Sequence, residues 1–217
     1  RSLQRDEDIL RHTSKAQMRK VHLLRHGATR ASEESLYCGA TDIPLSAKGE
    51  AALLEMRKNR DYPDISGCIV VTSGMRRADE TLKALYGSVG RIALPGLKEM
   101  NFGEFEMRSY AELCGDPAYL EWITGDNAAK RCPGGESGIE MRERSLRCFN
   151  DLFSSCGNDL LIVTHGGVIS TLMDSFFPGS GRNFYEWQPR NGEGYTVSFI
   201  LARPESWTVL PGGRGGR

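Results

Sequence analysis

Apolar residues along this chain gather into short unbroken runs separated by longer amphipathic stretches. The runs Val21–Arg25, Cys68–Thr72, Arg91–Leu94, Leu160–Thr164, Thr196–Leu201 and Ser206–Leu210 are too short for buried helices and rich in β-favouring residues. They predict strands, several of them buried on both faces. Between the runs the apolar period lengthens to that of a helix. Ala78, Leu82 and Leu85 share one face, and Gly87 is placed to stop the helix. Ser137 and Glu140 make a capping-box pattern for a helix running to about Phe153, with Ile139, Leu146, Phe149 and Phe153 as its apolar stripe. Ile169, Leu172, Met173 and Phe176 repeat that pattern farther on. Strand alternating with helix predicts an α/β fold, a three-layer α/β/α sandwich around a mostly parallel central sheet. From about 105 to 135 the chain shows no strand pattern and reads as a helical insertion over the candidate site. With no repeat and no linker, residues 21–210 read as one domain, residues 1–20 as an N-terminal tail and the Gly-rich residues 211–217 as a flexible C-terminal tail.

Charge narrows the partners. Lys and Arg number 28, Asp and Glu 28, so no global field draws the chain of 217 residues onto nucleic acid or an anionic membrane. Anion recognition must come from a few placed charges. No apolar run approaches the ~20 residues of a membrane helix, and the first 18 residues lack the apolar stretch of a secretory signal. Cysteines 38, 68, 114, 132, 148 and 156 form no Cys-x-x-Cys pair, so they predict reduced thiols in a cytoplasmic protein rather than a disulfide framework or a zinc site.

Two of the predicted strands, in VHLLRHGATR and LLIVTHGGVI, end in His-Gly. Ligands of open α/β sheets bind beyond the carboxyl ends of the strands, and Gly27, Gly166 and Gly167 let the backbone turn tightly and approach a ligand there. His26 and His165 can therefore share one crevice. A third strand, CIVVT, runs into TSGMRRADET, where Ser73 is placed to cap a helix whose first turn carries Arg76 and Arg77. Arginines at the positive end of a helix dipole are unfavourable without an anion. Glu80, four residues on, can pair with Arg76 and leaves Arg77 the more informative of the two. Arg25 adds another guanidinium. Fixed cations beside two histidines disfavour a divalent metal and suit a phosphoryl group, which guanidinium forks bind bidentately. A neutral imidazole can then attack phosphorus, with charge neutralisation and positioning supplying most of the rate and a phosphohistidine as the product. The leaving alkoxide needs a proton donor. Glu99, with Phe102 and Phe105 nearby in sequence to raise a carboxyl pKa, is the candidate, and Glu104 and Glu106 compete with it.

These residues resemble the histidine phosphatase superfamily, the phosphoglycerate-mutase-like fold. RHGATR resembles its Arg-His-Gly-x-Thr signature, and YCGATDIPLSAKGEAA its following Gly-x-x-Asp-x-Pro-Leu block. SGMRRADET, LKEMNFGEFE, PGGES and VTHGG resemble the later blocks in order, so the likeness runs from about Val21 to Leu201. It implies His26 as nucleophile, Arg25, Arg77 and His165 as the rest of the phosphate pocket, Glu99 as proton donor, and Thr29, Ser32 and the Gly166 amide as further phosphate contacts. It implies no metal and no organic cofactor. The chain departs from the pattern at Ser32 (usually Asn), Gly74 (Pro), Glu80 (Gln) and Phe105 (Trp).

The run GEFEMRSYAEL and the late QPRNGEGYTVSFI are most similar to the α-ribazole phosphatase and broad-specificity phosphatase branch. The implied activity is metal-independent hydrolysis of a small phosphate ester, α-ribazole 5′-phosphate of cobalamin biosynthesis being one such ester, by a monomer or homodimer. Tyr110, Tyr119 and Trp122 of the insertion are expected either to contact the leaving group or to form the insertion's core. Two alternatives stand beside this reading: a phosphoglycerate-type mutase, and a catalytically inactive phospho-ligand binding protein on the same fold.

Overall fold

The computed structural model describes residues 18–126 and 128–213. Most of the two expected tails, residues 1–17 and 214–217, lies outside the described residues. The strands are β1 (Met18–Arg25), β2 (Arg60–Asp61), β3 (Ile69–Thr72), β4 (Ile92–Ala93), β5 (Leu160–Thr164), β6 (Gly194–Ile200), β7 (Arg203–Leu210) and β8 (Gly212–Gly213). The helices are α1 (Arg30–Glu33), α2 (Ala47–Asn59), α3 (Arg76–Tyr86), α4 (Tyr110–Leu113), α5 (Pro117–Thr124), α6 (Gly138–Ser155) and α7 (Gly166–Phe176). Six strands form one sheet in the order β4-β3-β5-β1-β6-β7. β4, β3, β5 and β1 run parallel, and β6 is antiparallel to both β1 and β7. This is the expected mixed, mostly parallel sheet.

Alternation along the central strands builds the two outer layers. Val21, Leu23, Leu160 and Ile162 face one side and pack with Phe149 and Phe153 of α6 and Ile169 and Leu172 of α7. Leu24, Leu161 and Val163 face the other side and pack with Leu53 of α2 and Ala78, Leu82 and Leu85 of α3. All five residues of β5 are buried, as its continuous apolar run requires. Ser137 and Glu140 close a reciprocal capping box on α6, and Gly87 ends α3 with φ of 77°, a conformation that glycine adopts without steric cost.

Several expectations shift. β1 begins at Met18, so three residues assigned to the tail belong to the sheet. Gly212 and Gly213, assigned to the other tail, pair with Asp61 and Arg60. α2 was not expected: of its apolar residues Leu53 is buried while Leu54 is exposed, so its apolar stripe is thin. Ile139 does not complete the stripe of α6, because it sits in the first turn and is 44% exposed. Ser73 does not cap α3. Met75 occupies the cap position, with no side-chain bond to the helix.

The insertion is helical as expected. Its core is an aromatic cluster of Phe105, Tyr119 and Trp122, against which Tyr37 and Phe102 pack. Among the described residues no helix is long and apolar enough to cross a membrane.

Candidate active site

Strand register sets the site. β1 pairs with β5 so that Arg25 lies beside Thr164, and the His26 amide donates to the Thr164 carbonyl at 3.0 Å. His26 and His165 thus leave neighbouring strands at one level, their ring centroids 5.1 Å apart and edge to face. β3 lies on the other side of β5, and the Ser73 amide donates to the Val163 carbonyl at 3.2 Å. The tips of three parallel strands therefore meet at one place.

His26 is buried, and its Nδ1 lies 2.7 Å from the Gly27 carbonyl oxygen. A carbonyl can only accept, so Nδ1 carries the proton and Nε2 carries the lone pair. Burial, then the charges of Arg77 and Arg25, bring the pKa of His26 down to about 3, against a smaller opposing pull from the Gly27 carbonyl. The imidazole is therefore neutral at physiological pH. Gly27 is held in turn: its amide donates to Thr81 Oγ1 at 2.8 Å, and a Cβ there would stand 2.5 Å from Leu53 Cδ1.

His165 is fully buried, and its pKa lies well below the ordinary value, through burial first, then the unfavourable pairing of its charged form with a protonated His26, and then the charges of Arg77 and Arg25. Arg77 Nε–H donates to its Nδ1 at 3.3 Å. Its Nε2 consequently bears the proton and donates to Ser73 Oγ at 2.9 Å. Ser73, expected to cap a helix, instead orients a histidine.

Arg77 is 1% exposed. Nη1 donates to the Thr41 carbonyl at 2.9 Å and Nη2 to the Gly39 carbonyl at 2.7 Å. With Nε engaged by His165, two of the five guanidinium N–H groups stay open among the described residues. Arg25 Nη1 donates to the Pro189 carbonyl at 2.7 Å, while its buried Nε–H has no partner among the described residues. Burial lowers the pKa of Arg25, and the Glu99 carboxylate opposes that shift. Open guanidinium donors beside a free imidazole lone pair suit a tetrahedral oxyanion. Arg76 lies on the surface in an ion pair with Glu80 at 3.4 Å.

Glu99 stands at the rim. The Met100 amide donates to Oε1 at 3.0 Å and the Gly167 amide to Oε2 at 2.9 Å. Phe102 lines a cavity that Glu99 also borders, whereas Phe105 is buried in the insertion's aromatic cluster. The competing glutamates are elsewhere: Glu104 is exposed, and the Glu106 carboxylate is bound to the backbone of residues 39–41. The expected phosphate contacts divide. Thr29 is buried, with Oγ1 accepting from the Ser32 amide, while Ser32 Oγ accepts from the Thr29 amide at 2.7 Å to close the capping box of α1 and donates its own proton to the Thr29 carbonyl. Gly166 opens α7, its amide following His165 directly.

A cavity of about 640 Å³ adjoins the cluster through Glu99, Gly167 and Gln188. Tyr37, Phe102, Trp122, Ile139, Met141 and Tyr185 make its walls largely apolar. Among the described residues the one cation on it, Arg142, is paired with Asp174 at 3.0 Å. Of the three insertion aromatics, Trp122 lines this cavity, Tyr119 is fully buried with its hydroxyl 2.7 Å from that of Tyr37, and Tyr110 lies exposed away from it. Among the described residues no group of three or more His, Cys, Asp or Glu side chains is arranged to hold a metal ion.

The segment 188–193 belongs to the site and was not expected there. The Asn191 side-chain amide donates to the carbonyls of His26 and Gly27, at 3.0 and 3.3 Å, and Gln188 packs over Gly166. The polar run QPRNGEG just ahead of a strand was the available signal. Its meaning depends on β6 being antiparallel to β1, which brings the start of β6 to the end of β1.

The profile of the histidine phosphatase superfamily (branch 1) matches residues 21–209. The chain is 33% identical over 201 residues to the adenosylcobalamin/alpha-ribazole phosphatase of Salmonella typhimurium, covering 87% of this chain and 98% of that protein. It is 27% identical over 166 residues to the 2,3-bisphosphoglycerate-dependent phosphoglycerate mutase 2 of Gloeobacter violaceus, covering 70% and 72% respectively. The crystal structure of the alpha-ribazole phosphatase from Shigella flexneri superposes with a TM-score of 0.79 at 25% identity, over 91% of this chain and 99% of that one.

Proposed function

The chain belongs to the histidine phosphatase superfamily, and from that premise we propose that it hydrolyses a small phosphomonoester through a phosphohistidine on His26, with α-ribazole 5′-phosphate as the substrate. The observation that carries the proposal is the Nδ1–H bond of His26 to the Gly27 carbonyl, which leaves Nε2 unprotonated beside two arginines. In the first step Nε2 attacks phosphorus, the bond from phosphorus to the ester oxygen breaks, and Glu99 gives its proton to the departing alkoxide. In the second, Glu99 takes a proton from water, the resulting hydroxide attacks phosphorus, the P–N bond breaks and inorganic phosphate leaves. Arg25, Arg77, His165 and the Gly166 amide surround the phosphoryl group, and the Thr29 hydroxyl adds a donor. Charge neutralisation in a buried site supplies the largest part of the rate. This machinery calls for no metal and no organic cofactor.

The cavity supports an apolar leaving group. A phosphoglycerate would bring a carboxylate next to walls whose one cation among the described residues is already paired with Asp174, which favours hydrolysis over mutase chemistry and suits the bulky aromatic base of a ribazole. All six cysteines are free thiols, in keeping with a cytoplasmic enzyme.

The test is turnover of α-ribazole 5′-phosphate, 3-phosphoglycerate and p-nitrophenyl phosphate with and without EDTA. Expected are stoichiometric phosphate release, inhibition by vanadate, indifference to EDTA, an acid-labile label on His26 and at least tenfold higher kcat/KM for the ribazole ester than for 3-phosphoglycerate. Loss of activity on chelation, or phosphate retained on an isomerised substrate, would overturn the proposal.

A further inference from the structure

Among the described residues no carboxylate pairs directly with Arg77, although its side chain is almost wholly buried. The negative charge that answers it lies one peptide layer away. The Glu106 carboxylate accepts from the amides of Gly39 at 3.0 Å, Ala40 at 2.9 Å, Thr41 at 3.1 Å and Phe102 at 3.0 Å, and from the Thr41 hydroxyl at 2.6 Å. Three consecutive amides thus turn toward Glu106. The carbonyls of Gly39 and Thr41 in the same segment accept from the two terminal nitrogens of Arg77. The Gly39–Ala40 peptide group thus has the Glu106 carboxylate at its N–H and the Arg77 guanidinium at its carbonyl, the orientation in which both charges favour its dipole, and the neighbouring peptides each meet one of the two charges. This placement requires glycine at 39, since a Cβ there would stand 1.5 Å from the Met100 carbonyl oxygen.

We propose that Glu106 is a positioning residue for the phosphoryl group, acting on Arg77 through the backbone of residues 39–41. A carboxylate bound directly to Arg77 would compete with the phosphoryl oxygens for the guanidinium fork. Held behind a peptide layer, Glu106 fixes the fork and leaves its two open N–H groups to the substrate. The inference rests on the proposed role of Arg77 in phosphate binding. Because the fork gains most where charge on the phosphoryl oxygens is greatest, the consequence falls on transition-state binding more than on substrate binding.

The experiment is a double-mutant cycle of Glu106→Gln and Arg77→Lys, read as kcat, KM and vanadate affinity per active site, with sites counted by phosphohistidine burst. Gln keeps the shape of Glu106 but turns an NH₂ toward amide donors, so the segment loses part of its anchor. Expected for Glu106→Gln alone is a tenfold or greater loss in kcat and in vanadate affinity, with KM changed less than about threefold. In the Arg77→Lys background the same change should cost less than about threefold. Thr41→Ala removes one of the five donors and gives a smaller loss of the same kind if Glu106→Gln does not fold. Additive losses in the cycle, or unchanged kcat and vanadate affinity per site in Glu106→Gln or Thr41→Ala, overturn the proposal. Wild-type turnover with Arg77→Lys fully active would instead overturn the assignment of Arg77, and this inference with it.

Discussion

The Gly167 amide donates to Glu99 Oε2 at 2.9 Å, and a Cβ on Gly167 would stand 2.5 Å from the other oxygen of that carboxylate. Gly167 lies in the first turn of α7, where alanine is favoured over glycine by roughly 0.5–1 kcal/mol. Gly167→Ala should therefore leave Tm unchanged or slightly raised while pushing Glu99 off its position. The expected kinetic result is a ten- to hundredfold fall in kcat on alkyl phosphates. A variant with unchanged kcat would show that the position of Glu99 does not matter to turnover.

Glu99→Gln separates proton donation from other roles. General acid–base catalysis contributes about 10²–10⁴-fold, and that factor applies where the leaving group needs a proton. Turnover of α-ribazole 5′-phosphate should drop within that range, while p-nitrophenyl phosphate, whose leaving group departs as the anion, should lose less than about tenfold in the phosphorylation step measured by burst kinetics. Equal losses on both esters would assign Glu99 a role other than proton donor.

The buried histidines make the fold sensitive to acid. The pKa of His26 falls to about 3, and those of His165 and His22 are lowered too, burial being the largest cause for each. The unfolded chain takes up these protons near 6.5, the ordinary value for histidine. In the folded chain His26 and His165 resist them until much lower pH, and His22 is shifted in the same direction. Stability from these groups is therefore complete above pH 6.5 and is lost as pH falls toward 3, each fully shifted histidine contributing a slope of about 1.4 kcal/mol per pH unit. Urea unfolding between pH 7 and pH 4.5 should show the decline, and His26→Asn should make it shallower by about one proton. Parallel profiles for the two proteins would remove His26 from the account.

Tyr185 is 70% exposed at the cavity mouth. Its replacement by Ala should shift Tm little, since exposed positions change stability by about 0.5 kcal/mol or less. It should raise KM for α-ribazole 5′-phosphate about three- to tenfold and leave p-nitrophenyl phosphate turnover near wild type. A uniform effect on both esters would move the leaving-group site elsewhere.

Much of this architecture is legible in the chain because strands such as Leu160–Thr164 are buried on both faces and announce themselves as continuous apolar runs. α2 escapes notice because its stripe amounts to little more than Leu53, with Leu54 facing outward. At the site, the charged and imidazole groups stand out by residue type at strand ends, and the structure brings His26, His165, Arg25, Arg77 and Glu99 together. Their supporting contacts are not legible in that way. Ser73 follows a strand and precedes a helix, so local logic makes it a cap, and only the adjacency of β3 and β5 turns its hydroxyl toward His165. Asn191 and Glu106 act on backbone atoms 165 and 67 positions away, which no local pattern encodes.

The meeting of three strand tips also bears on how such a protein can acquire new substrates. The two imidazoles sit at the tips of buried central strands, whereas much of the cavity wall comes from the insertion, the start of α6 and the turn at 184–188. Rewriting those walls leaves the register of β1, β3 and β5 untouched. Swapping the insertion between relatives is therefore a rational route to changed preference at preserved chemical competence, with the hub inherited whole and the doorway rebuilt.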